Sequence, residues 1–193
     1  MLEIIHHFGY LGIFLTIFGE IGAMMFFLPG DTLIFGSGLI ANSGFLNFYF
    51  LIFFIFITST LAGHFGYFLG TKISRETLIN NKYYKVKESH LDKTQDFFEK
   101  YGAFAIVASR FVPIVRNFIS QICGILKYDK KKFFFYNLLA SFLWPAITVT
   151  LGFYFGRTFP QLVGYLEIFM IVTIIIVAIP FFFEMTKRIF RKN

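Results

Sequence analysis

Residues 102–126 read GAFAIVASRFVPIVRNFISQICGIL, and the predicted fold turns on this stretch. It is apolar over most of its length, but Pro113 interrupts it near the middle, between Arg110 and Arg116. Each half has about 11 residues, or roughly 16 Å of helix, whereas a membrane span needs about 20 residues. Because basic segments flank the stretch at both ends, we expect it to enter a membrane, turn at Pro113 and return to the same side as a re-entrant hairpin.

The composition is typical of a membrane protein. Hydrophobic residues make up 56% of the 193 residues and charged residues only 15%, whereas about a quarter of the residues are charged in a typical soluble domain. Apolar runs such as 48–61 and 168–183 offer no polar face to water. The single cysteine, Cys123, permits no internal disulfide, and no basic segment precedes the first apolar run, so we expect no cleaved signal peptide.

The basic residues are concentrated in three segments, which predicts the topology. Residues 4–71 contain no Lys or Arg, whereas 72–100 contain seven, 127–132 contain four and the tail 185–193 contains four. Basic loops are retained in the cytoplasm, so all three segments, including the C-terminus, are predicted to be cytoplasmic and residue 44 external. The net charge of +7 then reflects topology, and nucleic acid is not an expected partner.

The whole chain is interpreted as one all-α, polytopic membrane domain. Its predicted parts are a first hairpin–helix repeat (10–70), a cytoplasmic amphipathic linker (72–100), a second hairpin–helix repeat (101–156), a final transmembrane helix (160–184) and the basic tail (185–193). The first hairpin is broken at Pro29-Gly30-Asp31 and would enter from the outer face. The alternative is that residues 11–28 span the membrane alone, which would place the N-terminus inside.

A glycine pattern supports the internal repeat. The segment from Gly66 to Gly70 (GYFLG) resembles that from Gly152 to Gly156 (GFYFG), each late in a predicted spanning helix. An odd number of crossings separates the two repeats, so they face opposite ways, as in many transporters. These four glycines and Gly63 are interpreted as helix-packing positions.

Four charged residues lie at predicted membrane depth, where each costs about 2.5–3.5 kcal/mol on insertion scales. Glu20 and Asp31 belong to the first hairpin, and Arg110 and Arg116 to the second. The helix breaks free backbone polar groups that lipid cannot satisfy, so we expect breaks and charges to line one polar pocket. An arginine pair suits a phosphate, and buried carboxylates serve as proton carriers in transporters.

The alternative to a transport role is that these charges only brace the two hairpins. His64 lies among the packing glycines and is interpreted as a packed or pore-lining residue, since no zinc-type ligand spacing surrounds it. No nucleophile elbow, phosphate-binding loop or haem pair is visible, so neither a membrane enzyme nor a cofactor or metal is expected.

The chain resembles the DedA family of bacterial membrane proteins, which share a VTT-type domain with eukaryotic lipid scramblases. The segments that carry the resemblance are Glu20 with Pro29-Gly30-Asp31, GHFGYFLG from Gly63 to Gly70, FFEKYG at 97–102, the Arg110-x-x-Pro113-x-x-Arg116 element, Asn137 to Trp144, and Gly152 to Arg157. The resemblance implies two re-entrant hairpins with flanking helices and lipid translocation driven by the proton motive force. It also implies that Glu20, Asp31, Arg110 and Arg116 are the essential residues.

The expected function is a proton-linked lipid transporter of the bacterial cytoplasmic membrane. Its expected partners are protons and a membrane lipid with an anionic phosphate head group, and a homo-oligomer is possible. Undecaprenyl phosphate is the first substrate choice because the arginine pair suits a phosphomonoester. The alternatives are a phosphatidylethanolamine flippase, or a proton or ion transporter that affects lipids indirectly.

Overall fold

The described part of the chain is helical and contains no strand. The computed structural model of the protein describes residues 2–23, 28, 30–80, 87–159 and 161. Pro29, the basic tail and all but residue 161 of the predicted helix over 160–184 lie outside these residues.

Eight α-helices are defined within the described residues. They are α1 (Leu2–Ile17, continued by a π-helical turn, Phe18–Gly22), α2 (Gly30–Asn42), α3 (Phe48–Lys72), α4 (Arg75–Asn80), α5 (Glu88–Tyr101), α6 (Phe104–Ala108, continued by a 3-10 turn, Ser109–Phe111), α7 (Pro113–Ile125) and α8 (Lys130–Thr158). The two longest begin with side-chain caps. The Asn47 side chain accepts a hydrogen bond from the Phe50 amide (2.9 Å), and the Asp129 side chain accepts one from the Lys132 amide (2.7 Å).

Helices α3 and α8 are long and apolar enough to cross a membrane. They have 25 and 29 residues, which gives about 37 Å and 43 Å of helix. They lie in the C-terminal parts of the two predicted repeats, 10–70 and 101–156. Pro145 lies inside α8, which continues past it, as membrane helices allow when neighbouring groups satisfy the freed carbonyl.

The helix break predicted at Pro113 is present. Val112 has an extended backbone (φ −116°, ψ 102°), as expected of a residue before proline, and Pro113 begins α7. In the first repeat, the π-helical turn ends at Gly22 with Ala23 as its C-cap, and α2 is described from Gly30. Re-entry of the two broken segments into the membrane stays a prediction.

The short helices that follow the two breaks, α2 and α7, are called half-helices here. Each packs against the long helix of the other repeat: α2 against α8, and α7 against α3. At the first crossing, Gly38 has no room for a Cβ atom because the Val149 carbonyl and Gly152 are in the way. At the second, Gly124 has no room because of the Tyr67 carbonyl and Gly70. Each half-helix is therefore held by the long helix of the other repeat.

These two crossings are equivalent, which defines the register of the repeat. Gly38 and Gly124 are separated by 86 residues, and the glycines that they meet, Gly152 and Gly70, by 82. The carbonyls involved, of Val149 and Tyr67, are also separated by 82 residues. The structure thus pairs Gly70 with Gly152, one helical turn away from the match between residues 66–70 and 152–156 seen in the sequence.

Helix α5 forms the C-terminal part of the predicted amphipathic linker, and its apolar face is partly covered by protein. Leu91 is fully buried and packs with Phe118 and Ile122 of α7. Helix α7 thus covers the part of this face around Leu91, whereas Tyr101 at its C-terminal end is exposed. Residues 81–86 of the linker lie outside the described part of the chain.

Candidate functional site

Arg116 is the centre of a buried ion-pair cluster. Its Nη2 atom donates to Oε1 of Glu20 and its Nη1 atom donates to Oδ1 of Asp31. Glu20 comes from the π-helical turn after α1, Asp31 from the first turn of α2, and Arg116 from the first turn of α7. Three ends of broken helices therefore converge on one point, and the cluster joins the first repeat to the second.

Trp144 of α8 forms one wall of this cluster. The Arg116 guanidinium carbon lies 5.0 Å from the centre of the Trp144 ring, within the range of a cation–π contact. The indole Nε1 also donates to Oδ1 of Asp31 at 3.2 Å. Trp144 thus orients both the cation and one of its two carboxylates.

The two carboxylates differ in exposure. The Glu20 side chain is 2% exposed, whereas that of Asp31 is 47% exposed. Oε2 of Glu20 lies against Gly30, where it occupies the space that a Cβ atom would need. Asp31 is therefore the accessible side of the cluster, and Gly30 is required for Glu20 to fit beneath it.

Arg110 lies in a second buried cluster. Its Nη2 atom donates to the Asn137 side-chain oxygen (2.8 Å) and to the Ser141 hydroxyl (3.2 Å). Asn137 in turn donates to the Thr60 carbonyl at 3.2 Å and lies 3.1 Å from His64 Nδ1. Arg110 is 2% exposed, yet its Nε and Nη1 atoms have no hydrogen-bond partner among the described residues. The cluster thus leaves part of a buried guanidinium available for another ligand.

The expected network of all four charges is divided in two. Arg116 pairs with both carboxylates, whereas Arg110 makes no ion pair within the described part of the chain. The physical reason is that Arg110 precedes the break at Pro113, so it projects from the 3-10 turn and meets α8 instead. Helix α8 connects the clusters, since Asn137, Ser141 and Trp144 lie at i, i+4 and i+7 on one face.

The sequence interpretation assigned no role of their own to the polar residues that anchor Arg110. Asn137 and Ser141 are fully buried in the apolar middle part of α8. Their spacing of four residues was the available signal, because two polar groups on one face of an apolar helix require partners. Within the described residues, no group of three His, Cys, Asp or Glu side chains is placed to hold a metal ion.

Comparison with known proteins places the chain in a family. The VTT domain matches residues 28–154. Protein DedA of Escherichia coli strain K12 is 30% identical over 195 residues, covering 97% of this chain and 88% of that relative. Undecaprenyl phosphate transporter A of Bacillus subtilis strain 168 is 29% identical over 189 residues, covering 95% and 92%. No solved structure matches the chain. The match to the VTT domain and the near full-length similarity to these relatives show that the chain belongs to the DedA family of bacterial membrane proteins.

Proposed function

We propose that this protein transports a lipid with a phosphate head group across the bacterial cytoplasmic membrane, and that the lipid is undecaprenyl phosphate. The observation that carries the proposal is the buried Arg116 held between Glu20 and Asp31. The name of the Bacillus subtilis relative supports the choice of substrate.

A phosphate is the ligand that this site would accept. The planar guanidinium of arginine binds phosphate through two parallel hydrogen bonds, as it binds a carboxylate. Arg116 already holds two carboxylates, and Arg110 keeps two donor atoms without partners among the described residues. A head group that enters beside Asp31 would exchange a carboxylate for a phosphate on Arg116 and gain the free donors of Arg110.

The carboxylates provide the link to protons. A phosphate and an ionised carboxylate compete for the same guanidinium atoms, and their negative charges repel each other. Protonation of Glu20 or Asp31 removes that competition, so a proton and a phosphate would occupy the site together. Release of the proton on the other side would restore the ion pair and expel the head group. The cluster therefore supports proton-coupled transport.

The proposed topology places the site between two inverted repeats. The broken segments α1–α2 and α6–α7 are re-entrant hairpins, α3 and α8 cross the membrane, and residues 72–100, 127–132 and the tail are cytoplasmic. The distribution of basic residues and the crosswise packing of the half-helices support this arrangement.

Reconstitution tests the proposal. Purified protein in liposomes is supplied with fluorescent analogues of a polyprenyl phosphate and of phosphatidylethanolamine, with and without an imposed proton gradient. We expect the gradient to accelerate movement of the polyprenyl phosphate in the wild-type protein but not in the Arg116→Ala variant. Preferential movement of phosphatidylethanolamine would show that this lipid, and not undecaprenyl phosphate, is the substrate. Proton flux without movement of either lipid would refute lipid transport.

A further inference from the structure

The turn that carries Glu20 has an unusual backbone. Helix α1 is continued by a π-helical turn, Phe18–Gly22, which ends with Ala23 as its C-cap. Such turns are rare and occur frequently at functional sites. The carbonyls at the end of a helix are left over by its own ladder of hydrogen bonds, and a side chain from another element can bind them.

Gln121 of α7 donates hydrogen bonds to the end of this turn. Its side-chain Nε2 atom lies 3.1 Å from the Ile21 carbonyl and 3.2 Å from the Gly22 carbonyl. Gln121 is 1% exposed, so water does not compete for these contacts. In an apolar interior water cannot replace such hydrogen bonds, so the amide ties the end of this turn to α7.

The same helix also provides the partner of the Glu20 carboxylate. Arg116 precedes Gln121 by five residues on α7 and binds the Glu20 side chain, while Gln121 binds the backbone beside it. One helix, α7, therefore binds both the carboxylate of Glu20 and the backbone next to it. The space for the amide comes from Gly66 of α3, where a Cβ atom would lie 2.8 Å from Nε2.

From this geometry we infer that Gln121 is a positioning residue that holds Glu20 in register with Arg116 for the proton-linked step. The inference rests on the proposed function. Without this anchor the turn could shift, and the Glu20 carboxylate would lose its hydrogen bond to the Arg116 guanidinium. The coupling between proton and phosphate would then weaken. An apolar side chain of similar length would fill the space but remove both of these hydrogen bonds.

The test compares Gln121→Met with Ser120→Ala as a matched control. Ser120 is the preceding residue on α7 and is 1% exposed, and its hydroxyl has no hydrogen-bond partner among the described residues. Transport of a fluorescent polyprenyl phosphate is measured in liposomes with and without a proton gradient. We expect Gln121→Met to reduce the stimulation by the gradient about tenfold, which corresponds to about 1.4 kcal/mol. Binding of the lipid should change less than about threefold, and Ser120→Ala should match the wild type.

The ratio of driven to undriven transport separates positioning from general loosening of the fold, which would lower both rates and the lipid affinity together. A wild-type ratio in Gln121→Met, or a parallel loss of all three quantities, would overturn the inference. If Gln121→Met fails to fold, Gly66→Ala displaces the same amide and must reproduce the loss of coupling. Full gradient-driven transport by Glu20→Gln would instead refute the proton step of the proposed function. An inactive Glu20→Gln with a normal Gln121→Met would refute only the role of Gln121.

Discussion

Ser59 of α3 and Ser141 of α8 touch each other where these two long helices pack together. Both are fully buried, and the Ser59 hydroxyl lies 3.4 Å from the Ser141 carbonyl. They are separated by 82 residues, as are Gly70 and Gly152 at the two helix crossings. Equivalent residues that touch lie on the axis that relates their repeats, so a pseudo-twofold axis passes between these serines. Arg110 binds Ser141, which places its cluster beside that axis.

The equivalence of the two crossings makes a prediction about stability. Gly38→Ala and Gly124→Ala should each lower the free energy of unfolding by about 1–3 kcal/mol, because a Cβ atom would press on a backbone carbonyl that cannot rotate away. Gly12→Ala is the control, since nothing lies within 4 Å of its Cβ position on α1. Thermal melting in detergent measures the effect. A melting temperature for either crossing variant equal to that of Gly12→Ala would contradict the described register.

The two arginines should respond differently to lysine. Arg116 uses two different nitrogens for two carboxylates, so Arg116→Lys loses one charge-assisted hydrogen bond. The free energy of unfolding should therefore fall by about 1.5–3 kcal/mol, and the transport rate should fall as well. Arg110 donates to both Asn137 and Ser141 from a single atom, Nη2, and the ammonium group of a lysine can donate both of these hydrogen bonds. Arg110→Lys should therefore keep its melting temperature but bind the lipid phosphate at least about tenfold more weakly.

Lipid affinity and melting temperature must be measured separately for both lysine variants. The informative comparison is Arg110→Lys, because bracing and phosphate binding make opposite predictions there. Normal lipid affinity in that variant would show that the free donors of Arg110 do not contact the head group, and would favour a bracing role.

The helical fold was largely predictable because its signals are local. Pro113 sets the break before α7 through its own geometry, and the absence of Lys and Arg before residue 72 delimits α3. The register of the repeat was not predictable, because it depends on which glycines meet. The sequence match aligned Gly66 with Gly152, whereas packing aligns Gly70 with Gly152. The contacts of Gly38 with the Val149 carbonyl and of Gly124 with the Tyr67 carbonyl decide between the two alignments.

The site was predictable in its residue types but not in its pairing. Glu20, Asp31 and Arg116 stood out because charge is costly at membrane depth. The separation of Arg110 from the acids could not be read from the sequence, since a 3-10 turn before Pro113 directs it towards Asn137. The role of Gln121 depends on a π-helical turn, which no residue pattern in 18–22 announces.

The topology can be tested with cysteine labelling. Cys123 is fully buried, so the wild-type protein should not react with an impermeant thiol reagent on intact cells. In a Cys123→Ser background, a cysteine at the exposed position Ser43 should be labelled, and one at the exposed position Ser89 should be labelled only after permeabilisation. Labelling at residue 89 in intact cells would contradict the inverted arrangement.

Asn137 should be required for Arg110 to contribute to lipid transport. Asn137→Leu keeps the branched shape of the side chain but removes the 2.8 Å acceptor of Arg110, which leaves Ser141 as its acceptor among the described residues. Loss of a partner by a buried polar group costs about 1–3 kcal/mol, and more when it is charged. We expect lower thermal stability and a loss of lipid transport. Leu138→Ala, at the adjacent and partly buried position on α8, should retain transport. Transport by Asn137→Leu at the wild-type rate would remove this cluster from the proposed pathway.

Competition between phosphate and carboxylate for Arg116 leads to the last prediction, which concerns protons taken up during binding. If a carboxylate must be protonated before a phosphate replaces it, then binding of a polyprenyl phosphate should take up a proton, and its affinity should rise as the pH falls. Calorimetry in buffers with different ionisation enthalpies measures the number of protons directly.

Glu20 is buried beneath Gly30, whereas Asp31 is exposed and is also held by Trp144, so we expect Glu20 to receive this proton. Glu20→Gln is already neutral, so it should bind the lipid without proton uptake and with an affinity that changes less with pH. Asp31→Asn should retain the uptake, because the buried acid is intact. Proton uptake that persists in Glu20→Gln and disappears in Asp31→Asn would transfer the role to the exposed carboxylate. No uptake in the wild type would show that the phosphate does not displace a carboxylate from Arg116.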